Sequence, residues 1–208
     1  MAQRDRRPPG QVTYAIGDRL YINLTDGCSL KCDFCLKNNS HGPFVEDVDL
    51  RLSRQPSATD IRKALTDLGP YREVVFCGFG EPSLRLPTLL ELAEFVQRKG
   101  KPVRLDTDGL ANRVYRRDVT PQFAGRLDSV SVSLNAQDRE TYNRLCKPPW
   151  PDAFDYVCDF IRKAKEYVPE VLVTAVDGVD GVDIEACRSL AENNLGVDFR
   201  ARVRDRVG

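Results

Sequence analysis

Six short stretches of the chain, at 20–25, 73–78, 103–108, 129–135, 170–176 and 197–203, are rich in apolar residues, and in several of them polar and apolar positions alternate. A period of two predicts strands. Between these stretches apolar residues recur at helical spacing, over 59–68, 87–99, 138–145, 152–166 and 183–194, with a weaker pattern near 121–126. Local signals agree. Ser57-Ala-Thr-Asp60 resembles a capping box, Pro87 suits a first helical position and Gly100 a helix stop. Strand–helix alternation implies parallel strands joined by right-handed crossovers. Val12–Ala15, Gly17-Asp18 and Arg19–Ile22 predict a short hairpin leading into the first core strand. Residues 1–11 are polar, basic and Pro-rich and read as a flexible tail. The expected organisation is a tail and hairpin over 1–18, then one domain over 19–208.

Parallel strands buried on both faces normally read as continuous hydrophobic runs. Several strands here do not. Ser129, Ser131, Ser133 and Asn135 share one face, opposite Val130, Val132 and Leu134. Arg104, Asp106 and Asp108 oppose Val103, Leu105 and Thr107, while Asp198, Arg200, Arg202 and Arg204 oppose Val197, Phe199, Ala201 and Val203. Asn23 and Thr25 alternate with Ile22 and Leu24. This pattern predicts an α/β protein with a partial (β/α)6 TIM-like barrel of parallel strands. Helices would cover the apolar outer face, and the polar inner face would line a ligand cavity.

Composition narrows the class. With 208 residues there is material for one domain with a full core. The 31 basic and 31 acidic residues balance, so no global field points to nucleic acid or to an anionic membrane. No apolar run approaches a membrane span, and the start MAQRDRRPPG lacks the apolar stretch of a signal peptide. Seven cysteines without such a signal suggest a reducing cytoplasm rather than a disulfide framework.

Three of those cysteines dominate the chemistry. Cys28, Cys32 and Cys35 form a C-x3-C-x2-C triplet directly after the first strand. A tetrahedral zinc site normally takes four ligands, often from two C-x2-C pairs, and no second pair is present. Three thiolates on a cubane of four irons would leave one iron open to a small chelating ligand. Three further polar devices follow the ends of the next strands: Gly78-Phe-Gly-Glu-Pro82, Asp106-Thr-Asp-Gly109 and Ser133-Leu-Asn135. Barrel active sites lie at that end of the strands. A glycine-rich loop there lets backbone groups approach a ligand closely, and Glu81 would add negative charge.

In order and spacing these motifs resemble those of the radical S-adenosylmethionine (SAM) superfamily. The aromatic Phe34 before the last cysteine, GFGEP and the SLN of the fourth strand all match, and the resemblance covers roughly residues 19–204. YINLT, VVFCGFGEPSLRL, TDGLAN, SVSLNA and YNRLCKP are similar in finer detail to the small TatD-associated radical SAM group. The resemblance implies that Cys28, Cys32 and Cys35 hold a 4Fe–4S cluster and that SAM chelates the open iron. It places Phe34 near the adenine, Gly78, Gly80, Glu81 and Pro82 near the methionine amino group, and Ser133 and Asn135 near the ribose. It further implies a low-potential electron donor of flavodoxin or ferredoxin type, and a TatD-like hydrolase as a partner. One position departs from the family: Asp108 stands where many members carry Asn.

The other notable residues have plainer expected roles. Cys158 and Cys187 lie on apolar helix faces and read as packing residues, as does Cys77. Cys146 reads as structural, and His41, the sole histidine, as a solvated residue in a long lid or surface segment over 37–56. Trp150 reads as a cap on the core. Inward-pointing Arg200, Arg202 and Arg204 would favour an anionic ligand. Other functional readings are a glycyl-radical activase acting on a partner protein, a carboxy-deazaguanine synthase (against which Leu36 after the last cysteine counts), and a non-enzymatic iron–sulfur or zinc module for binding or electron transfer.

Overall fold

Helix and strand boundaries follow local chemistry. The computed structural model describes residues 10–35, 37, 44–45 and 48–203. Its elements are, in chain order, β1 (Thr13–Ile16), β2 (Arg19–Ile22), β3 (Phe44–Val45), β4 (Val48–Asp49), α1 (Ala58–Ala64), β5 (Glu73–Phe76), α2 (Leu86–Gln97), β6 (Val103–Thr107), α3 (Ala111–Tyr115), β7 (Ser129–Ser133), α4 (Arg139–Cys146), α5 (Ala153–Ala164), β8 (Glu170–Asp177), α6 (Ile184–Ser189) and β9 (Asp198–Val203). Ser57 and Asp60 form the reciprocal capping box that starts α1. Helix α5 buries Phe154, Val157, Cys158, Phe160, Ile161 and Ala164 along one face. Each large apolar side chain so buried stabilises the fold by about 1.5–3 kcal/mol. The pattern predicted over 183–194 is split, with α6 continuing as a π-helical turn over Leu190–Leu195. The weak pattern near 121–126 is a single 3-10 turn over Thr120–Phe123. Helix α3, only 5 residues long, was too short to show a period.

The six predicted strands are β2 and β5 through β9, all parallel to one another. A seventh, β1, pairs antiparallel with β2, so the sheet order is β1-β2-β5-β6-β7-β8-β9. The sheet is an open, partial barrel. Helices cover its outer face, where Ile22, Leu24, Val74, Phe76, Leu105, Val130 and Val132 join the main core. Cys187 and Cys158 are buried in that layer, in keeping with packing roles. Trp150 also belongs to it, half-buried with its ring 5.0 Å from the Arg113 guanidinium.

The inner face differs from expectation on one side. Tyr21 and Val75 are register partners that point inward and cluster with Tyr14, Val45 and Leu50. Val45 and Leu50 come from the segment expected to be a lid or surface loop. Its described part is instead the β3–β4 hairpin and the strand-like chain after it, which seal the apolar half of the inner face. Burial of Val45 and Leu50 is the driving force, as both are almost fully removed from solvent. His41 and Arg204 lie outside the described residues. No helix of the described residues is long and apolar enough to cross a membrane.

Candidate functional site

At the C-terminal ends of the parallel strands a cavity of about 430 Å³ opens into the partial barrel. Cys28, Cys32, Cys35, Phe34, Gly78, Gly80, Glu81, Ser133 and Asn135 all line it, so residues spread over more than 100 positions of sequence meet at one mouth. Pro82 does not line it, being buried at the first position of a 3-10 turn.

The cysteine loop is held from two sides. On one side it meets the end of α4. The amides of Lys31 and Asp33 donate to the carbonyls of Cys146 and Leu145, each at 3.0 Å. Those carbonyls belong to the last turn of a helix, where they have no intrahelical donor. Lys147, in a left-handed conformation after the helix, forms an ion pair with Asp33. The YNRLCKP run is therefore the docking platform of the cysteine loop. Cys146 is fully buried there, and the Cys32 thiol points to its carbonyl oxygen at 3.9 Å. Sequence reasoning foresaw a structural Cys146 but not this contact. Its only signal was a polar helix end followed by two prolines.

On the other side the loop meets Gly78–Glu81. A Cβ on Gly80 would lie 2.2 Å from the Gly27 carbonyl oxygen and 2.6 Å from that of Thr25. One on Gly78 would lie 2.2 Å from Oδ1 of Asn23. The glycines thus admit the chain's own backbone as well as bordering the cavity. Glu81 donates its amide to Gly27 at 2.8 Å, completing the seam. Asn23, whose polarity suggested a cavity residue, is fully buried, and its Nδ2 donates to the Leu50 carbonyl at 2.7 Å.

The Glu81 side chain is engaged by the fold. One oxygen accepts from Ser83 N at 2.8 Å and from Thr107 Oγ1 at 2.8 Å; the other accepts from Asp108 N at 2.7 Å. The carboxylate ties the end of β5 to the end of β6. Burial, and then the neighbouring Asp108 charge, raise its pKa above the ordinary carboxylate value. Asp108 is buried as well, accepting from Ser29 Oγ at 2.8 Å and from Leu110 N at 2.9 Å, and burial raises it too. The acid at this departure from the family pattern therefore reaches the cysteine loop through Ser29.

Asn135 sits in the left-handed region with φ 62°, a conformation Asn tolerates better than most residues. Its amide contacts Cys146 Sγ at 4.0 Å, and its Oδ1 accepts from Arg202 Nη2 at 3.3 Å. Ser133 lies on the same strand end, partly open to the cavity. Cys77 faces the cavity rather than the outer core, because its strand position is the same as that of Val75 on the inner face.

The thiols are not poised as free nucleophiles. Burial, followed by the charge of Asp108, pushes Cys28 up to about 12. Contact with Cys146 comes first in raising Cys32, ahead of burial, and burial raises Cys35. Among the described residues no three Cys, His, Asp or Glu side chains converge on a position for a single ion. Three thiols on one short loop at one mouth suit a polynuclear group whose separate irons each take one thiolate.

Comparison with known proteins shows the family. The chain is 34% identical over 130 residues to a GTP 3′,8-cyclase of Streptomyces coelicolor, covering 62% of this chain and 36% of that protein. Across the curated relatives it matches, the chain spans between about a third and about half of their length. Its fold is shared with the structure of TYW1 with a lysine–pyruvate adduct bound (TM-score 0.63, 15% identity, 92% of this chain and 67% of that one). It is shared also with Streptococcus suis SuiB bound to S-adenosylmethionine (TM-score 0.62, 17% identity, 90% and 38%). The model of the radical SAM superfamily, enzymes that use a 4Fe–4S cluster and SAM, matches residues 22–192, and this chain belongs to that superfamily.

Proposed function

We propose that the chain reductively cleaves SAM and uses the resulting radical to take a hydrogen atom from a substrate. The observation that carries the reading is the convergence of Cys28, Cys32 and Cys35 with Gly78–Glu81, Ser133 and Asn135 on one mouth. In this reading the three cysteines hold a 4Fe–4S cluster and release their protons on binding it, since the thiolate is the ligand form. When bound, the cluster and SAM together supply a one-electron cleavage and hydrogen-atom abstraction.

The protein's own part is placement. The α4 end and the Gly80 seam fix the cysteine loop from opposite sides. Phe34 borders the adenine position, and the backbone of Gly78–Glu81 receives the methionine amino group. Glu81 acts mainly by holding that backbone, because its oxygens already serve Ser83, Thr107 and Asp108. Asn135, steadied by Arg202, meets the ribose with Ser133. The sealed half of the inner face excludes water from one flank of the cavity.

Radical SAM enzymes generally need a reductant, here taken to be a flavodoxin- or ferredoxin-type donor. On its motif detail we place the chain in the TatD-associated group, with a TatD-like hydrolase as a partner. The GTP cyclisation named for its relatives is not carried over, since the chain spans only part of them.

The test is anaerobic reconstitution with iron and sulfide, followed by SAM and dithionite. The wild-type chain should take up a 4Fe–4S cluster and form 5′-deoxyadenosine, and Cys32→Ala should do neither. Equal product from both proteins would sink the assignment.

A further inference from the structure

The cavity wall opposite the cysteine loop belongs to the last strand. Arg200 and Arg202 project from β9 on its inner side, opposite Thr174 and Val176 of β8, and both line the cavity. Their state contrasts with that of the acids around them. The three carboxylates lining the cavity are Glu81, Asp106 and Asp108. Glu81 and Asp108 accept from backbone and hydroxyl donors, as described above. Asp106 is paired with Arg104 at 2.9 Å. The cations of β9 are less committed: both favour the charged form of Asp106 through space, with no direct ion pair to it among the described residues. Arg200 makes no hydrogen bond or ion pair with a described residue. Arg202 makes one, through Nη2 to Asn135, while its Nε is buried with no partner among the described residues.

The buried Arg202 donor without an acceptor costs free energy, and its guanidinium presents that donor in a fixed planar fork suited to an oxyanion, while the exposed Arg200 adds a second positive charge on the same strand face. We infer that Arg200 and Arg202 form a subsite for the oxyanionic group, carboxylate or phosphate, of the substrate. This rests on the SAM reading above. In that reading SAM runs from the cysteine loop and the Gly78–Glu81 side to a ribose at Asn135, which Arg202 touches, whereas β9 itself is the fourth strand beyond β5 in the sheet. The arginines therefore serve a second ligand across the cavity, anchored by its charge so that its C–H faces the cluster end.

The experiment is calorimetric titration of cluster-loaded protein with SAM, then with inorganic pyrophosphate and with malonate, each probe with and without SAM. Wild-type protein should bind one probe saturably, pyrophosphate marking a phosphate subsite and malonate a carboxylate one. Arg200→Gln should weaken that probe about tenfold or more, and Arg202→Gln likewise. Arg202→Lys, which keeps charge but loses the fork, should fall between. SAM affinity should be held by Arg200→Gln, whose thermal unfolding serves as the folding control. Equal probe binding by the variants, no probe binding by wild-type protein, or parallel loss of SAM affinity in Arg200→Gln would overturn the proposal. Arginine-dependent probe binding by protein that takes up no SAM would instead sink the SAM assignment and leave the anion subsite standing.

Discussion

Across β2 and β5 the inner face of the sheet carries Tyr21 and Val75, buried beneath Tyr14, Val45 and Leu50. Across β7 to β9 the same face carries Ser131, Ser133, Thr174, Arg200 and Arg202 around an open cavity. Both halves share one topology, and the difference lies in what covers them. The first has an apolar lining and a hairpin that seals it. The second has a polar lining, and no described element lies over it. One sheet can therefore anchor a loop rigidly at one side and leave room for a ligand at the other. Between them runs a seam: Gly80 against Gly27 and Thr25, Glu81 against Thr107 and Asp108, and Arg104 bridging Glu73 and Asp106.

The seam gives the largest expected effects. Gly80→Ala would drive a methyl into backbone that cannot move aside cheaply. It should destabilise the chain by about 3 kcal/mol in urea unfolding and sharply lower iron uptake on reconstitution. Arg104→Ala should cost about 2–3 kcal/mol, because it removes the direct ion-pair partner of half-buried Asp106 and leaves Glu73 with Arg19 alone. A cost under about 0.5 kcal/mol for either would mean that the two halves are not joined as described.

Next comes the sealed half. Leu50→Ala should cost about 2–4 kcal/mol through the cavity it leaves. Ser131→Ala, on the open half, should stay within about 0.5 kcal/mol. Similar values for the two would erase the distinction between halves.

Glu81 gives a subtler effect. Its folded pKa is raised above the ordinary value of 4.5. The folded chain thus holds a proton that the unfolded chain has released. Stability from this group is complete below about 4.5 and is lost as pH rises through the folded pKa. Urea midpoints of metal-free protein should fall over that window, and Glu81→Gln should flatten the fall. A wild-type profile that rises through the same window would contradict the buried carboxyl pair.

The smallest effect lies outside both halves, in the helical layer. Arg54 and the Ser57 cap hold Asp60 well below the ordinary carboxylate range. Its contribution is therefore present above the unfolded value and lost as pH falls through the folded one. Ser57→Ala should cost about 1 kcal/mol in thermal unfolding. An unchanged midpoint would show that the cap adds nothing to the layer.

Legibility in the sequence followed the range of the interaction. The six parallel strands, the capping box of α1 and the order of the motifs could be read because period and capping are local properties. The inward polar face of β7 was visible for the same reason. Its counterpart just after β2 was misread at Asn23. A polar residue in an alternating pattern signals only that its face is not plain core. Whether it meets a ligand or a backbone carbonyl depends on a segment distant in sequence, here Leu50. The same limit hid the docking of Lys31 and Asp33 on the carbonyls of Leu145 and Cys146.

By itself, then, the sequence determined the strand–helix alternation, the superfamily motifs and which side chains are candidates for the chemistry. Residue type, spacing and period are written into neighbouring positions. Only the tertiary structure decided that Glu81 braces the fold, that Gly80 yields to backbone, that Val45 and Leu50 seal one half, and that Arg202 keeps a donor with no partner among the described residues. Each of those outcomes depends on which distant group arrives at hydrogen-bonding or van der Waals distance, and local pattern holds no record of that.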